Sequence, residues 1–218
     1  MATQPSDWQD LTRDCGLVLH GSFGDFRADL PALQAEFAEL DAKAEAGIRD
    51  CRANDGSWSS LDLISRAAVW GQPGLPTSGL DLMPTAAALF AREGWRMLGA
   101  HILRQPPNGV LPWHYEEQAP YSAETRLLIP LHAPPEAHTL LSHEPVAYPD
   151  GIGWVADVNF PHQVENPSKQ QRIVLIADVL PDDDLRAKFP QALLHDVTQR
   201  RQLAQQTRNM VLAWRDGA

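Results

Sequence analysis

From residue 95 onward the chain reads as short runs in which apolar and polar positions alternate. The runs are WRMLGAHILRQ, VLPWHYEE, TRLLIPLHA, HTLLSH, GIGWVADVNF and RIVLIADVL, parted by the clusters QPPNG, APPEA and YPDG. A period of two marks a strand with one face buried, and Pro, Gly and Asn clusters mark the turns between strands. Six such segments at roughly even spacing predict an antiparallel sandwich or barrel.

The flanks have a different texture. Residues 16–23, GLVLHGSF, alternate as a strand. Residues 29–47 recur at helical spacing through Leu33, Phe37 and Leu40, with Asp29 placed as the cap. SWSSLDLISR (57–66) predicts another strand, GQPGLPTSG (71–79) a loop, and MPTAAALFAREG (83–94) a short helix that Gly94 ends. After residue 180 the three aspartates Asp182 to Asp184 precede Leu185, Phe189, Leu193, Val197 and a long polar tail ending near Trp214, which predicts helix again. The chain is thus expected to be one domain over 1–218: a β core at about 95–180, a strand and helix region at 16–94, and a C-terminal helical extension at 182–215.

Composition adds bounds. With 218 residues, 44% hydrophobic and 21% charged, the chain has the make-up of a globular protein with a substantial core. A formal net charge of −10 argues against nucleic acid or an anionic membrane surface as partner. Cys15 and Cys51 lie far apart with no metal-type spacing, the polar N-terminus MATQPSDWQD is unlike a secretory leader, and IVLIADVL is too short to span a bilayer. A cytoplasmic protein with no membrane partner is expected.

The chemistry centres on LPWHYEE. His114 and Glu116 are two apart on a strand and so share a face, while Trp113 and Tyr115 take the other. With 28 acidic residues and eight histidines in 218, one His-x-Asp/Glu arises by chance, so the pair needs support from elsewhere. His162 in NFPHQVENPSK supplies a third ligand type, 46 positions after Glu116, a separation that a Greek-key sandwich closes. Two imidazoles and a carboxylate on one side of a metal leave positions open, which suits Fe(II) that must bind a cosubstrate and O2 together. Ten residues after His162, beyond the turn ENPSK, Arg172 starts a returning strand, and its planar guanidinium grips a carboxylate by two parallel hydrogen bonds.

His114-x-Glu116, the segment GIGWVADVNFPHQV, and His162 followed ten later by Arg172 and a strand ending in Asp178 resemble the aspartyl/asparaginyl β-hydroxylase family. That family is similar to the bacterial cis-proline hydroxylases and comprises Fe(II)- and 2-oxoglutarate-dependent oxygenases. The specific match covers about 95–180 and a looser one reaches back to residue 16. The resemblance implies a mainly β fold with flanking helices around a double-stranded β-helix (jelly roll, cupin-like) core. It implies His114, Glu116 and His162 as catalytic iron ligands, and Fe(II), 2-oxoglutarate and O2 as cofactor and cosubstrates. Arg172 would bind the distal carboxylate of 2-oxoglutarate, with Arg126 a second basic residue near the cosubstrate or substrate. Glutamate stands where aspartate is commoner. Glu117, its neighbour, is the alternative ligand if the strand register is off by one.

Other readings stand beside this one. His114 and Glu116 also fit a surface pair on an edge strand, and His162, after Pro161, fits a solvent-facing turn residue. His20, His101, His132, His138, His143 and His195 read as structural or exposed. A cupin-like isomerase or hydrolase would use the His/Glu/His set without 2-oxoglutarate, and a binding protein on the same fold would use neither. The expected substrate is small, an amino acid or a metabolite derived from one, with Arg66, Arg96 or Arg104 available for its carboxylate. The C-terminal helices offer a surface for a homodimer.

Overall fold

The computed structural model describes residues 4–44, 50–53 and 55–217. Two antiparallel sheets face each other. The larger runs in the order β1 (His20–Arg27), β10 (Ile152–Ala156), β7 (Thr125–His132), β12 (Arg172–Leu180), β5 (Arg96–Gln105), β3 (Ser59–Ser65) and β2 (Asp50–Arg52), with β4 (Leu75–Pro76) beside β3. The smaller runs β6 (Gly109–His114), β11 (His162–Asn166), β8 (His138–Leu141) and β9 (Glu144–Val146). This is the expected sandwich with helices before and after it.

Alternation along the strands sorts the interior into two compartments. On β12 the odd positions Ile173, Leu175, Ala177 and Val179 join the main core, as do Leu61 and Leu63 of β3 and Leu127, Ile129 and Leu131 of β7. That face is covered by α2 (Leu30–Ala44) and α4 (Pro84–Arg92), through residues such as Leu33, Leu40, Leu89 and Phe90. The even positions point the other way, toward the space between the sheets.

Several local expectations are borne out. Asp29 accepts a hydrogen bond from the Ala32 amide at 3.3 Å as α2 begins, and Gly94 takes φ +65° just after α4, the left-handed turn that a glycine makes at no steric cost. The last three residues of the expected 29–47 helix lie outside the described residues. Asp182 caps α5 (Asp183–Ala187) by accepting from the Leu185 amide at 2.8 Å.

Others are corrected. The first strand begins at His20, after Gly16 has turned the chain at φ +62°. The 71–79 loop holds β4 and the start of α3 (Ser78–Asp81). The segment at 110–117 stops being a strand at His114. His162 opens β11, where a turn residue was one reading. The short run HQVEN between two prolines hides a strand whose alternate side chains His162, Val164 and Asn166 are buried.

The helix α1 (Pro5–Asp14) has no counterpart in the hydrophobic pattern, because only Trp8 and Thr12 of its ten residues are buried. It packs on α6 (Val197–Asp216), and both lie against the outer face of the smaller sheet. Trp8 sits edge-on to Trp113 of β6 at 5.4 Å and to Trp214 of α6 at 5.8 Å. The apolar face of α6 is therefore applied to its own chain, through Leu203, Ala204 and Val211. Among the described residues no helix is long and apolar enough to cross a membrane.

Trp8→Ala is expected to cost about 3–5 kcal/mol, the usual loss for emptying a fully buried aromatic site. Urea unfolding checks it, and a midpoint that does not move would show that α1 is dispensable to the fold.

Candidate active site

A defect in strand pairing aims the first histidine. Leu111 of β6 pairs with Val164 of β11, and His114 pairs with His162, so three steps on one strand meet two on the other. The extra residue makes a bulge at Pro112–Trp113, and proline, with no N–H to lose, suits that position. Without the bulge Leu111 and His114 would face opposite ways. With it, both line the cavity between the sheets, and Trp113 is turned out to Trp8.

The structure brings the three expected ligand residues together. His114, Glu116 and His162 each offer one ligand atom, all within 4.8 Å of one another, and the two imidazole rings lie 4.1 Å apart. Each ring is oriented by a backbone carbonyl: His114 Nδ1 lies 2.7 Å from the Pro112 oxygen and His162 Nδ1 lies 3.1 Å from the Phe160 oxygen. A carbonyl only accepts, so both Nδ1 atoms carry the proton and both Nε2 atoms keep a free lone pair. Burial holds both imidazoles below their ordinary pKa, and His162 is lowered further by His114. Both are neutral near pH 7, as metal ligation requires.

Glu116 lies two residues past the end of β6, where its amide donates to the Val158 carbonyl at 2.9 Å. Its side chain turns inward. Glu117 is 84% exposed and pairs with Arg208, so the strand register places Glu116 at the cluster.

Behind Glu116 runs a chain of charges. Arg126 donates to Glu116 and also grips Asp178 with two bonds, of 2.8 and 3.0 Å. Arg66 donates to Asp178 at 2.7 Å and pairs with Glu124. Burial alone would lower the Arg126 pKa, but Asp178 and Glu116 raise it above its ordinary value. Arg126 is thus committed to two carboxylates.

Arg172 has the opposite surroundings. It is 5% exposed, it faces the cavity, and no carboxylate or hydrogen-bond acceptor among the described residues meets it. Burial pushes its pKa down to about 10. The cavity measures about 430 Å3 and carries His114, Glu116, Arg126, His162 and Arg172 on its wall. A buried cation facing an open space, across from an imidazole pair and a carboxylate, fits an anionic ligand that also reaches a metal.

Sequence reasoning missed several wall residues. Tyr148 is buried beside Arg172 and its hydroxyl titrates above the ordinary range because of burial, yet it falls in the loop YPDG with no pattern to announce it. His101, read as structural or exposed, lines the cavity from β5; its place beside Leu103, alternating with the core residues Ala100 and Ile102, was the available signal. Of the three arginines considered for a substrate carboxylate, Arg66 lines an adjoining cavity, Arg96 is exposed, and Arg104 pairs with Asp41.

Comparison with known proteins identifies the family and the fold. The family model described as aspartyl/asparaginyl beta-hydroxylase matches residues 22–181. No curated protein matches by sequence. Among solved structures, the chain is similar to the non-heme α-ketoglutarate-dependent carbocyclase SnoK from nogalamycin biosynthesis, at 13% identity and TM-score 0.51, covering 82% of this chain and 86% of that one. It is also similar to the epimerase SnoN of the same biosynthesis, at 13% identity and TM-score 0.50, covering 81% and 82%. A 2OG-Fe(II) oxygenase-family oxidoreductase from Burkholderia pseudomallei follows at 15% identity and TM-score 0.49, covering 82% and 92%. At such identities SnoK and SnoN speak for the fold alone, the jelly roll of two facing sheets.

The two arginines are expected to behave oppositely when neutralised. Arg126→Met takes one of two cations from buried Asp178, which keeps Arg66, and the cation from half-buried Glu116, and should cost about 1.5–3 kcal/mol. Arg172→Met removes a cation that the fold disfavours. Its folded pKa lies below the ordinary arginine value, so its cost is present at neutral pH and fades only as pH rises through about 10. Thermal melts should therefore show Arg172→Met above wild type and Arg126→Met well below; a fall in both would mean that Arg172 has a protein partner.

Proposed function

The chain belongs to the aspartyl/asparaginyl β-hydroxylase family of Fe(II)- and 2-oxoglutarate-dependent oxygenases, and on that premise we propose that it hydroxylates a C–H bond of a small substrate, an amino acid or a metabolite derived from one. His114, Glu116 and His162 hold Fe(II), and Arg172 holds the distal carboxylate of 2-oxoglutarate. The observation that carries this reading is the buried, unpartnered guanidinium in the same cavity as the His/Glu/His cluster. A cupin-like isomerase or hydrolase would have the cluster but no use for a cation that costs stability.

The donor set fits the metal. Two neutral imidazoles and one carboxylate bind Fe(II) on one side and leave the other open. When bound, iron with O2 supplies the oxidative decarboxylation of 2-oxoglutarate to succinate and the oxidising power for the C–H bond. The chain's residues do the rest. The Pro112 and Phe160 carbonyls fix the imidazole planes, and Arg126 fixes the Glu116 carboxylate through a charged hydrogen bond. Arg126 thereby acts as a positioning residue for the carboxylate ligand. Tyr148 stands beside Arg172, where its hydroxyl can share the same carboxylate. Leu103, Leu128 and Ile176 give the cavity apolar wall that keeps bulk water from the reacting carbon.

Incubation with Fe(II), 2-oxoglutarate and ascorbate under air should yield succinate. His162→Ala should abolish it with the fold intact. Arg172→Ala should raise the 2-oxoglutarate requirement by an amount worth about 2–5 kcal/mol, and Arg172→Lys should restore only part, since an ammonium lacks the planar fork. Glu116→Ala should cut turnover severely while Glu117→Ala does not. Unchanged 2-oxoglutarate dependence in Arg172→Ala would remove Arg172 from the reading. Because solved structures of this fold include an epimerase and a carbocyclase, product analysis decides the last step: hydroxylation puts one labelled oxygen atom from O2 into the product.

A further inference from the structure

A second space of about 370 Å3 adjoins the metal-side cavity, and the two share Asp62, His101 and Arg126 on their walls. Together their walls carry the guanidiniums of Arg66, Arg126 and Arg172 and the carboxylates of Asp62, Glu116 and Asp178. Most of these charges answer one another. Arg126 pairs with Glu116 and Asp178, and Arg66 with Asp178 and Glu124. Among the described residues one cation and one anion are left over: Arg172, and Asp62, whose carboxylate has no cationic partner and only the Ser65 hydroxyl donating to it at 3.5 Å.

Resting on the reading above, 2-oxoglutarate answers Arg172 and iron answers Glu116. Neither answers Asp62. In the larger sheet Asp62 pairs with His101, His101 with Ile176, and Ile176 with Leu128, and all four line the cavity. That row lies four residues along β12 from Arg172, about 13 Å at the rise of a strand. The uncompensated carboxylate is thus at the end of the cavity away from the cosubstrate clamp.

We propose that Asp62 receives a protonated amine of the substrate, and that the substrate is an aliphatic amine whose nearest carboxylate is absent or masked as an ester or amide. Trp58 and Ser60, four and two residues earlier, line the same cavity; the indole gives a cation a π-face and the hydroxyl a further acceptor. His101, opposite Asp62, has no hydrogen-bond partner among the described residues and accepts an N–H when neutral, the form that burial, and then Arg126, favour. The same pairing explains why a free carboxylate is not what the substrate end recognises. Arg66 and Arg126, the cations nearest to it, are already neutralised by protein carboxylates, and a bound carboxylate there would have to displace one of them.

The test is binding to the Fe(II) and 2-oxoglutarate-loaded protein under anaerobic conditions, by calorimetry. The probes are methyl esters of the common L-amino acids, the free amino acids, and the N-acetylated methyl esters. The best methyl ester is expected to bind about tenfold or more tighter than its N-acetyl form, the usual span of a charge-assisted hydrogen bond, and no more weakly than its free acid. In Asp62→Asn that preference should shrink to about twofold or less. N-acetyl esters binding as tightly as the amines, free acids binding clearly tighter than esters, or a preference unmoved in Asp62→Asn would each overturn the proposal. So would the absence of binding by any ester. If Asp62→Asn does not fold, the wild-type preference still decides. A separate 2-oxoglutarate titration of the iron-loaded wild type, with no amine present, keeps the two readings apart. Its failure removes the oxygenase site; its success beside a failed amine preference removes the role of Asp62 alone.

Discussion

β12 runs through the middle of the larger sheet and is buried on both faces over eight of its nine residues, so any charge on it has to be answered from within the molecule or by something bound. It carries two, six residues apart. At one end Asp178 is answered twice over by Arg126 and Arg66, and although burial alone would raise its pKa, the two cations hold it below the ordinary carboxylate range. At the other end Arg172 meets no carboxylate or hydrogen-bond acceptor among the described residues. The asymmetry separates a charge satisfied by the fold from a buried charge left facing the cavity, and the rest of the cavity is arranged between these two poles.

The smaller sheet obeys a different constraint, that of a strand with one dry face and one face turned to helices. The bulge at Pro112–Trp113 serves both faces, sending His114 inward and Trp113 outward. Farther along the same layer Arg200 of α6 reaches in to Asp157, while donating to the Val18 and Ala192 carbonyls at 2.9 and 2.6 Å. Burial pushes the Asp157 carboxyl up to about 7 even against Arg200 and the Tyr121 hydroxyl. Asp157 adjoins Val158, whose carbonyl holds the Glu116 amide. The terminal helices and the ligand cluster are therefore two sides of one thin layer.

Much of this was legible in the sequence where a residue's meaning depends on its neighbours in the chain. The period-two runs from residue 95, the cap at Asp29, the turn at Gly94 and the start of β12 at Arg172 are all local. So is the shared direction of His114 and Glu116, although it works past a strand end instead of along an uninterrupted strand. What escaped is what depends on distant partners. β11 is five residues between prolines, and only pairing with β6 and β8 reveals it. α1 buries so little of itself that its helix is explained by Trp113 and Trp214. Nothing local tells Arg126, which is paired, from Arg172, which meets no acceptor among the described residues. Asp62 and Tyr148 gain meaning only once two sheets enclose a space.

The placement of Trp113 has a consequence for how the protein is made. A ribosome delivers His114, Glu116 and His162 well before α6, the helix whose Trp214 and Val211 complete the packing behind β6. Until α6 has emerged, Trp113 on the bulged strand lacks the Val211 and Trp214 side of its packing. The layer behind the imidazole pair is thus completed late in synthesis, after the three cluster residues are already in place along the chain. The fixed frame of the His/Glu/His cluster is in this sense a property that the finished layer confers on three residues already present.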